Sequence, residues 1–266
     1  MTQGLAEALL ALQELTERLR RDCPWDREQT ARTIVPHTLE EAYEVADAAQ
    51  AGDTEKLRDE LGDLLFQVYF LSELLAEQGA GGLEEVARGV QAKLIRRHPH
   101  LFGAATADSA GAVRRRWEQI KRDDEGRNGI FHDLPEALPA ALYARKVQRR
   151  AAAVEFEYPD VASALADLDD EVSELKEAIA AAGEPESEAE PAREVFAELG
   201  DVLFAAVNVA RHLNVDPELA LRRATRVFVE RVERAEALAA EEGRAFAELA
   251  LPEQDRYYDR AKEMLR

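Results

Sequence analysis

Acidic side chains occur twice in this chain with the same spacing, and that spacing favours metal binding. The two copies are Glu41-x-x-Glu44 followed by Glu60-x-x-Asp63, and Glu171-x-x-Glu174 followed by Glu198-x-x-Asp201. Residues three apart lie on one face of a helix, so each pair directs two carboxylates to one place. Two such helices packed together gather four carboxylates. Like charges this close repel each other unless they bind a cation or lie apart in water.

The residue types indicate a hard divalent cation, because carboxylate oxygens suit Mg²⁺ and Mn²⁺. Each second pair opens an apolar run, and between Asp63 and Leu71 only Gln67 is polar. We therefore expect these helices to be buried on nearly all sides. Carboxylates at the mouth of a buried helix are costly unless they are paired or bound to metal. A solvated helix face explains one acidic pair, whereas two matched sets favour metal binding.

The elements that position these side chains are predicted to be helices throughout. Helical periodicity dominates, no strand alternation is convincing, and all ten prolines fall at predicted loops or helix ends. Helix starts are expected at Thr38 and at Asp53 or Thr54. Gly62 and Gly200 are expected to allow close helix packing, since glycine inside a helix costs about 1 kcal/mol relative to alanine. The expected helices cover 4–21, 38–50, 55–78, 83–97, 109–122, 137–152, 161–182, 192–213, 217–242 and 253–265.

The internal repeat favours two tandem helical domains in the 266 residues. The polar, glycine-containing segment after residue 122 is a candidate linker, which gives domains 1–122 and 137–266 joined by 123–136. The segment 183–191 is acidic and contains two prolines, so a mobile loop is expected there.

Composition limits the classes of function. A net charge of −20 disfavours nucleic acid as a bulk partner, although a metal cluster can invert the local sign for a small polyanion. No apolar stretch approaches the ~18–20 residues of a membrane span. The start of the chain lacks a basic region typical of a secretory signal. The single cysteine, Cys23, fits a reducing cytoplasm, and nothing nearby marks it as a catalytic thiol.

Several segments together resemble the MazG nucleoside triphosphate pyrophosphohydrolases. The acidic signature matches that family, and so do four further stretches. With the repeated signature, the resemblance covers nearly the whole chain in the tandem two-domain form of the family. These stretches are Cys23-Pro-Trp-Asp-Arg-Glu-Gln-Thr30, Lys93-Leu-Ile-Arg-Arg-His-Pro-His-Leu-Phe102, Trp117-Glu-Gln-Ile-Lys121 and Leu134-Pro-Glu-Ala-Leu-Pro139.

The resemblance implies an all-α fold in which each tandem domain is built around a MazG-like four-helix bundle, usually in a homodimer. It implies Mg²⁺-dependent cleavage of nucleoside triphosphates to monophosphate and pyrophosphate, which suits clean-up of the nucleotide pool. Carried over by motif, the metal ligands are Glu41, Glu44, Glu60 and Asp63 in the first half, and Glu171, Glu174, Glu198 and Asp201 in the second. Lys93 and Arg97 become phosphate contacts.

The second half departs from the family pattern Asn-x-Lys-Phe-x-x-Arg. Thr225 and Val227 replace the asparagine and the lysine, while Arg231 is retained. Asn208 is in place to contact sugar or base, and Phe70 stands at its position in the first half. Neither half matches the full site, so an alternative is a nucleotide-binding sensor in which one or both sites have lost turnover.

Other roles stay open from the residues alone. Glu41 and Glu171 are the candidate catalytic groups, which either bind metal or orient and deprotonate the attacking water. Trp25 either stacks on a base or packs between helices. The pair His98-Pro-His100 fits a helix end or a phosphate contact better than a metal pair. His37 and His212 are interpreted as structural.

Overall fold

The computed structural model describes residues 2–103, 113, 129–131, 134–135, 137–183 and 192–265. The chain divides into two compact units, Met1–Asp124 and Glu125–Arg266. Every regular element within the described ranges is a helix, which confirms the all-α prediction. Four predicted segments fall wholly or mostly outside the described residues. They are the expected helix 109–122 except residue 113, the segment 117–121, most of the linker 123–136 and nearly all of the loop 183–191.

The first unit is organised around one long central helix. Its helices are α1 (Thr2–Asp22), α2 (Pro24–Glu28), α3 (Ala31–Ala51), α4 (Thr54–Glu77), α5 (Leu83–Arg97) and α6 (Pro99–Phe102). Helix α4 packs most extensively against α3 and also contacts α1 and α5. Ile34, Phe70 and Leu74 form the buried core between α3 and α4, with Phe66 and Leu71 packed against it.

The hairpin of α3 and α4 has well-defined ends. Gly52 ends α3 with a φ of 71°, a left-handed conformation that glycine adopts without strain. Asp53 caps α4, because its Oδ1 accepts hydrogen bonds from the backbone N–H groups of Glu55 and Lys56. Only two residues therefore connect the helices that carry the first acidic set.

Helix α3 begins earlier than the sequence suggested. Thr30 caps it and forms a reciprocal capping box with Thr33, so the predicted start at Thr38 is wrong. Pro36 lies inside α3, so the expectation that every proline falls at a loop or a helix end is wrong for this residue. A proline lacks a backbone N–H, so the carbonyl of Arg32 loses its usual partner. The capping box fixes the start of the helix despite that loss.

The second unit also has a central helix. Its helices are α7 (Ala140–Ala152), α8 (Val161–Ala182), α9 (Arg193–His212), α10 (Pro217–Glu241), a 3₁₀ turn (Phe246–Glu248) and α11 (Leu251–Met264). Helix α9 packs along α8 and also contacts α7 and α10. Gln148 of α7 is buried and donates from Nε2 to the carbonyl oxygen of Phe204, 2.8 Å away. A separate core joins α10 and α11 through Ala235, Leu238, Ala239, Tyr257 and Ala261.

The apolar helices α4 and α9 are less buried within one chain than predicted. Leu61 and Leu65 of α4 are 50% and 38% exposed, and Leu199 and Leu203 of α9 are 47% and 61% exposed. Among the described helices, none has the length and the apolar character needed to cross a membrane. The two helices that carry the second acid pairs thus keep an uncovered apolar side.

The two glycines between the acids do not serve close packing within the chain. A Cβ atom placed on Gly62 or on Gly200 meets no atom of another element within 4 Å in the described part of the chain, so the expected tight helix approach is wrong there for both. Open space adjoins the backbone at the acidic end of each helix.

Candidate functional site

Three carboxylates meet where α3 faces α4. Glu41 of α3 and Glu60 and Asp63 of α4 each offer an oxygen, and these oxygens lie within 4.8 Å of one another. Glu60 is only 7% exposed, whereas Asp63 is exposed. We call these three residues the first acidic cluster. Oxygen ligands from two helices at this spacing can surround one small divalent cation.

The fourth predicted ligand of the first set stands beside the cluster. Glu44 is exposed and is not one of the three mutually close residues. It lies beside Glu60, and a hydrogen bond between the two carboxyl groups requires a proton on one of them. The structure therefore groups three of the four carboxylates directly and connects the fourth through one of them.

Glu41 is less readily ionised than an ordinary glutamate. Burial raises its pKa, and the negative charges of Asp63, Glu44 and Glu40 raise it further. The nearby His37 opposes these effects. Such a pKa shift marks a group whose charged form lacks a cationic partner, which a bound cation would supply.

The pKa of Glu60 is raised as well. Burial is the largest cause of its raised pKa, followed by the hydrogen bond and the charge of Glu44. Lys56 opposes the shift, with its Nζ 3.8 Å from a carboxylate oxygen of Glu60. This lysine lies one turn before Glu60 on α4, and sequence reasoning missed it although the i, i+4 spacing signals the pair.

The second unit repeats the arrangement. Glu171 of α8 and Glu198 and Asp201 of α9 place their oxygens within 4.8 Å of one another, and we call them the second acidic cluster. Burial raises the pKa of Glu171, and the charges of Asp201 and Glu174 add to the shift. Glu174 lies outside the mutually close group, as Glu44 does in the first unit.

Helix capping sets the same register in both units. Thr30 caps α3 and Asp160 caps α8, where the Asp160 carboxylate accepts the backbone N–H of Ser163 at 2.8 Å. Glu41 and Glu171 each follow their capping residue by eleven positions. The first acid of each cluster therefore faces its partner helix at the same height.

A wide, open cavity lies beside the first acidic cluster. Its volume is about 710 Å³, within the ~300–1,000 Å³ typical of small-molecule sites. It is lined by Glu55, Lys56, Arg58, Asp59, Glu60, Gly62 and Asp63. The lining combines acidic groups for a cation with two basic groups that attract an anion.

The predicted substrate contacts of the first unit are Trp25, Lys93 and Arg97, and none of them is among the residues that line this cavity. Trp25 is 54% exposed, and its ring centroid lies 6.2 Å from that of His37, one turn before Glu41. Lys93 is exposed on α5, and Arg97 ends the same helix. The cation that acts on Glu60 is Lys56 of α4.

The two histidines after α5 lie at a helix end. The ring centroids of His98 and His100 are 5.5 Å apart, and the Nδ1 of His98 bonds to the carbonyl oxygen of Leu94 at 2.6 Å. His98 follows the last residue of α5, and Pro99 begins α6. The structure favours the helix-end interpretation of this pair.

Sequence reasoning missed an aromatic residue of the second unit. Tyr158 donates its hydroxyl to Asp167 at 2.5 Å, and Asp167 lies one turn before Glu171. That hydrogen bond, burial and the charge of Asp167 raise the pKa of Tyr158, which keeps it a donor. In the first unit, Trp25 also precedes the acidic hairpin, at a greater distance in sequence from its helix cap. An aromatic residue next to a proline just before each acidic hairpin was the available signal.

Asn208 and Arg231 differ in how their polar atoms are used. The Oδ1 of Asn208 accepts hydrogen bonds from Nε and Nη2 of Arg211, at 3.1 and 2.9 Å. Arg231 of α10 has a buried Nε with no hydrogen-bond partner among the described residues. At the position equivalent to Asn208, Phe70 is 1% exposed and belongs to the core of the first unit.

Known proteins share both the sequence and the repeated arrangement. The profile of the MazG nucleotide pyrophosphohydrolase domain matches twice, at residues 29–102 and 160–236. Each match contains one complete acidic cluster. The caps Thr30 and Asp160 also fall inside the matched ranges.

Relatives extend the similarity over the chain. The nucleoside triphosphate pyrophosphohydrolase/pyrophosphatase MazG of Thermotoga maritima is 38% identical over 265 residues, which covers 97% of this chain and 98% of the relative. The nucleoside triphosphate pyrophosphohydrolase of Escherichia coli K12 is 37% identical over 244 residues, 89% of each chain. A crystal structure of a MazG-related protein from Thermotoga maritima is 28% identical and covers 42% of this chain and 97% of its own, with a TM-score of 0.38.

Proposed function

Because the chain belongs to the MazG nucleotide pyrophosphohydrolase family, we propose that it hydrolyses nucleoside triphosphates to nucleoside monophosphate and pyrophosphate with Mg²⁺. The observation that carries this proposal is the pair of three-carboxylate clusters, one in each matched domain. Relatives named as nucleoside triphosphate pyrophosphohydrolases support the reaction type. Removal of damaged or non-standard nucleotides is the corresponding biological role, and the single cysteine fits action in a reducing cytoplasm.

The residues present fit a divalent metal. Each acidic cluster offers hard oxygen ligands from two helices. Burial and neighbouring negative charges raise the pKa values of Glu41, Glu60 and Glu171, which supports a cation at each cluster. Glu44 and Glu174 complete the proposed ligand sets, because each adds its charge to the adjacent cluster. Mn²⁺ suits the same oxygen ligands.

The proposed reaction is attack by water on the α-phosphorus, with pyrophosphate as the leaving group. When bound, the metal neutralises phosphate charge and makes water a better nucleophile. Glu41 and Glu171 hold or deprotonate that water, or bind metal directly. Their raised pKa values bring them nearer to neutral pH, where a general base works best.

Cationic and aromatic side chains complete the proposed substrate contacts. Lys93 and Arg97 contact phosphates in the first unit, and Arg231 does so in the second. Lys56 and Arg58 line the open cavity and add positive charge beside the first acidic cluster. Trp25 is half exposed, which leaves a ring face for a base.

A sensor role for the second unit is the alternative that a specific observation favours. Thr225 stands where the family pattern has asparagine, and its hydroxyl donates to the carbonyl oxygen of Leu221 at 2.9 Å. Val227 offers no charge in place of the lysine. A second unit that binds nucleotide without turnover is consistent with both replacements.

We also propose that the protein is a homodimer. The exposed leucines of α4 and α9 are consistent with a surface that a second copy covers. Open space beside Gly62 and Gly200 is available at the same helices. The family resemblance supports the same state.

Product analysis tests the proposed reaction. The purified protein is incubated with mixed nucleoside triphosphates and Mg²⁺, and the expected products are monophosphate and pyrophosphate, abolished by EDTA. Orthophosphate with diphosphate would contradict attack on the α-phosphorus. Bound nucleotide without any product would favour the sensor role. Absence of both Mg²⁺ and nucleotide binding would leave a purely structural helical protein.

A further inference from the structure

A polar group of side chains lies beyond the second acidic cluster on the same helix. Asn208 follows Asp201 by seven residues, which is two turns or about 10 Å along the axis on nearly the same face. It is partly exposed, and Arg211 and His212 follow it on α9. If phosphates bind at the cluster, the nucleoside part of a substrate extends over this distance. The inference below therefore rests on the proposed function.

Arg211 is the centre of this group and is held from several sides. Its Nη1 donates to Glu157 at 2.8 Å, and its side chain is only 12% exposed. Its Nη2 contacts Nε2 of His212 at 3.1 Å. Arginine has no acceptor atom, so this contact needs a lone pair on that ring nitrogen. With the two bonds to Asn208, four of its five N–H donors are used.

The hydrogen bonds of Arg211 fix the orientation of the Asn208 amide. A guanidinium only donates, so the amide must turn its oxygen toward Arg211 and its NH₂ group away. Both lone pairs of that oxygen are taken by Nε and Nη2. What Asn208 has left for a ligand is the NH₂ donor alone.

The first unit cannot offer the same contact. Phe70 has the position of Asn208 and is packed against Ile34 and Leu74. Glu73 has the position of Arg211, so neither the amide nor the guanidinium is repeated. In the described part of the chain, only the second unit therefore has an amide donor that an arginine orients two turns beyond the acidic cluster.

We propose that Asn208, held by Arg211, donates a hydrogen bond to an acceptor atom in the nucleoside part of the substrate. Arg211 is a positioning residue, and Glu157 and His212 hold it in place. The acceptor is a sugar oxygen or a carbonyl or ring nitrogen of the base. The second unit thereby distinguishes a nucleotide from a bare polyphosphate.

The test compares a nucleotide with an inorganic chain on the full-length protein. Glu60→Gln removes the buried ligand of the first acidic cluster, and the remaining binding is measured by calorimetry with Mg²⁺. The ligands are a non-hydrolysable nucleoside triphosphate analogue and inorganic tripolyphosphate. Asn208→Asp keeps the oxygen toward Arg211 but presents no donor, so it separates the donor role from packing.

The expected result is selective. Asn208→Asp weakens binding of the nucleotide analogue roughly tenfold to a hundredfold, because a buried acceptor loses its partner, and leaves tripolyphosphate within about twofold. Arg211→Met has the same selective effect, and Arg211→Lys restores part of it. Glu73→Gln, at the equivalent position of the first unit, changes neither ligand. Ribose and deoxyribose analogues, and analogues with different bases, identify which acceptor is read.

Two outcomes overturn the inference. Equal weakening of both ligands would make Asn208 and Arg211 structural residues only. Unchanged nucleotide binding in both variants would remove them from recognition. If the parent protein bound neither ligand and cleaved no nucleotide, the proposed function itself would fail, whereas cleavage with unaffected variants would overturn only this inference.

Discussion

Glu60 is the least exposed acid of the first cluster and carries a raised pKa, so metal and protons compete for it. The folded state binds protons more tightly than the unfolded chain at Glu41 and Glu60. Their contribution to stability is therefore fully present below the ordinary glutamate pKa of about 4.3 and is lost as the pH rises through the raised values. A bound cation reverses this loss.

From this we predict that Mg²⁺ raises the melting temperature more at pH 8 than at pH 5, because fewer protons must be displaced at high pH. Differential scanning calorimetry with and without Mg²⁺ measures the difference. The variant that combines Glu60→Gln with Glu198→Gln should lose most of it. An equal Mg²⁺ effect at both pH values would contradict a metal site at these carboxylates.

The first glutamate of each cluster is predicted to control turnover. The double variant Glu41→Gln, Glu171→Gln should lose at least about a hundredfold in kcat, since it removes a proton acceptor or a metal ligand from both units. The single variants show which unit works. Asp170→Asn is the neighbouring control and is expected to keep activity. Full turnover in the double variant would remove both glutamates from the catalytic machinery.

At the scale of the helix, Gly62 and Gly200 are predicted to be unfavourable for folding. Each lies inside a helix with free space where a Cβ would stand, so Gly62→Ala and Gly200→Ala should each stabilise the chain by about 1 kcal/mol. Urea unfolding measures this. Gly52→Ala is the opposite control, because a φ of 71° strains any residue with a Cβ. Destabilisation by Gly62→Ala would show that another group fills the space.

The helix bounds show which features of the fold the sequence patterns can predict. The bounds 83–97 and 161–182 were predicted to the residue, because periodicity and end signals agree there. The sequence places the start of α3 at Thr38, seven positions after its first residue Ala31, because Pro36 resembles a helix break and the Thr30–Thr33 capping box is easily overlooked. The burial of α4 was overestimated because an apolar sequence does not tell which neighbour covers it.

Some features of the candidate site were predictable from the sequence, and others were not. Spacing alone predicted four gathered acids in each unit, and the structure brings three of each set together, without Glu44 and Glu174. The hydrogen bonds from Arg211 to Asn208 could be predicted from their i, i+3 spacing on one helix. The contact of Arg211 with Glu157 could not, because it joins residues far apart in sequence.

For the whole molecule, the exposed apolar faces of α4 and α9 lead to a prediction about assembly. Sedimentation of the purified protein should show a dimer, and Leu65→Glu combined with Leu203→Glu should shift it to monomer, because charge in an apolar interface is costly. Leu10→Glu, at an exposed leucine of α1, is the control. A dimer unaffected by the double variant would place the interface elsewhere.

Asn208 and Phe70 occupy equivalent positions in the two units, and the burial of Phe70 limits which residues the first unit accepts there. Phe70→Asn would remove a ring that is 1% exposed, at a cost of about 3–5 kcal/mol, and would bury an amide in an apolar core. That loss is a large part of the roughly 5–15 kcal/mol that stabilises a folded domain. A single substitution at this position therefore does not give the first unit the amide contact of the second.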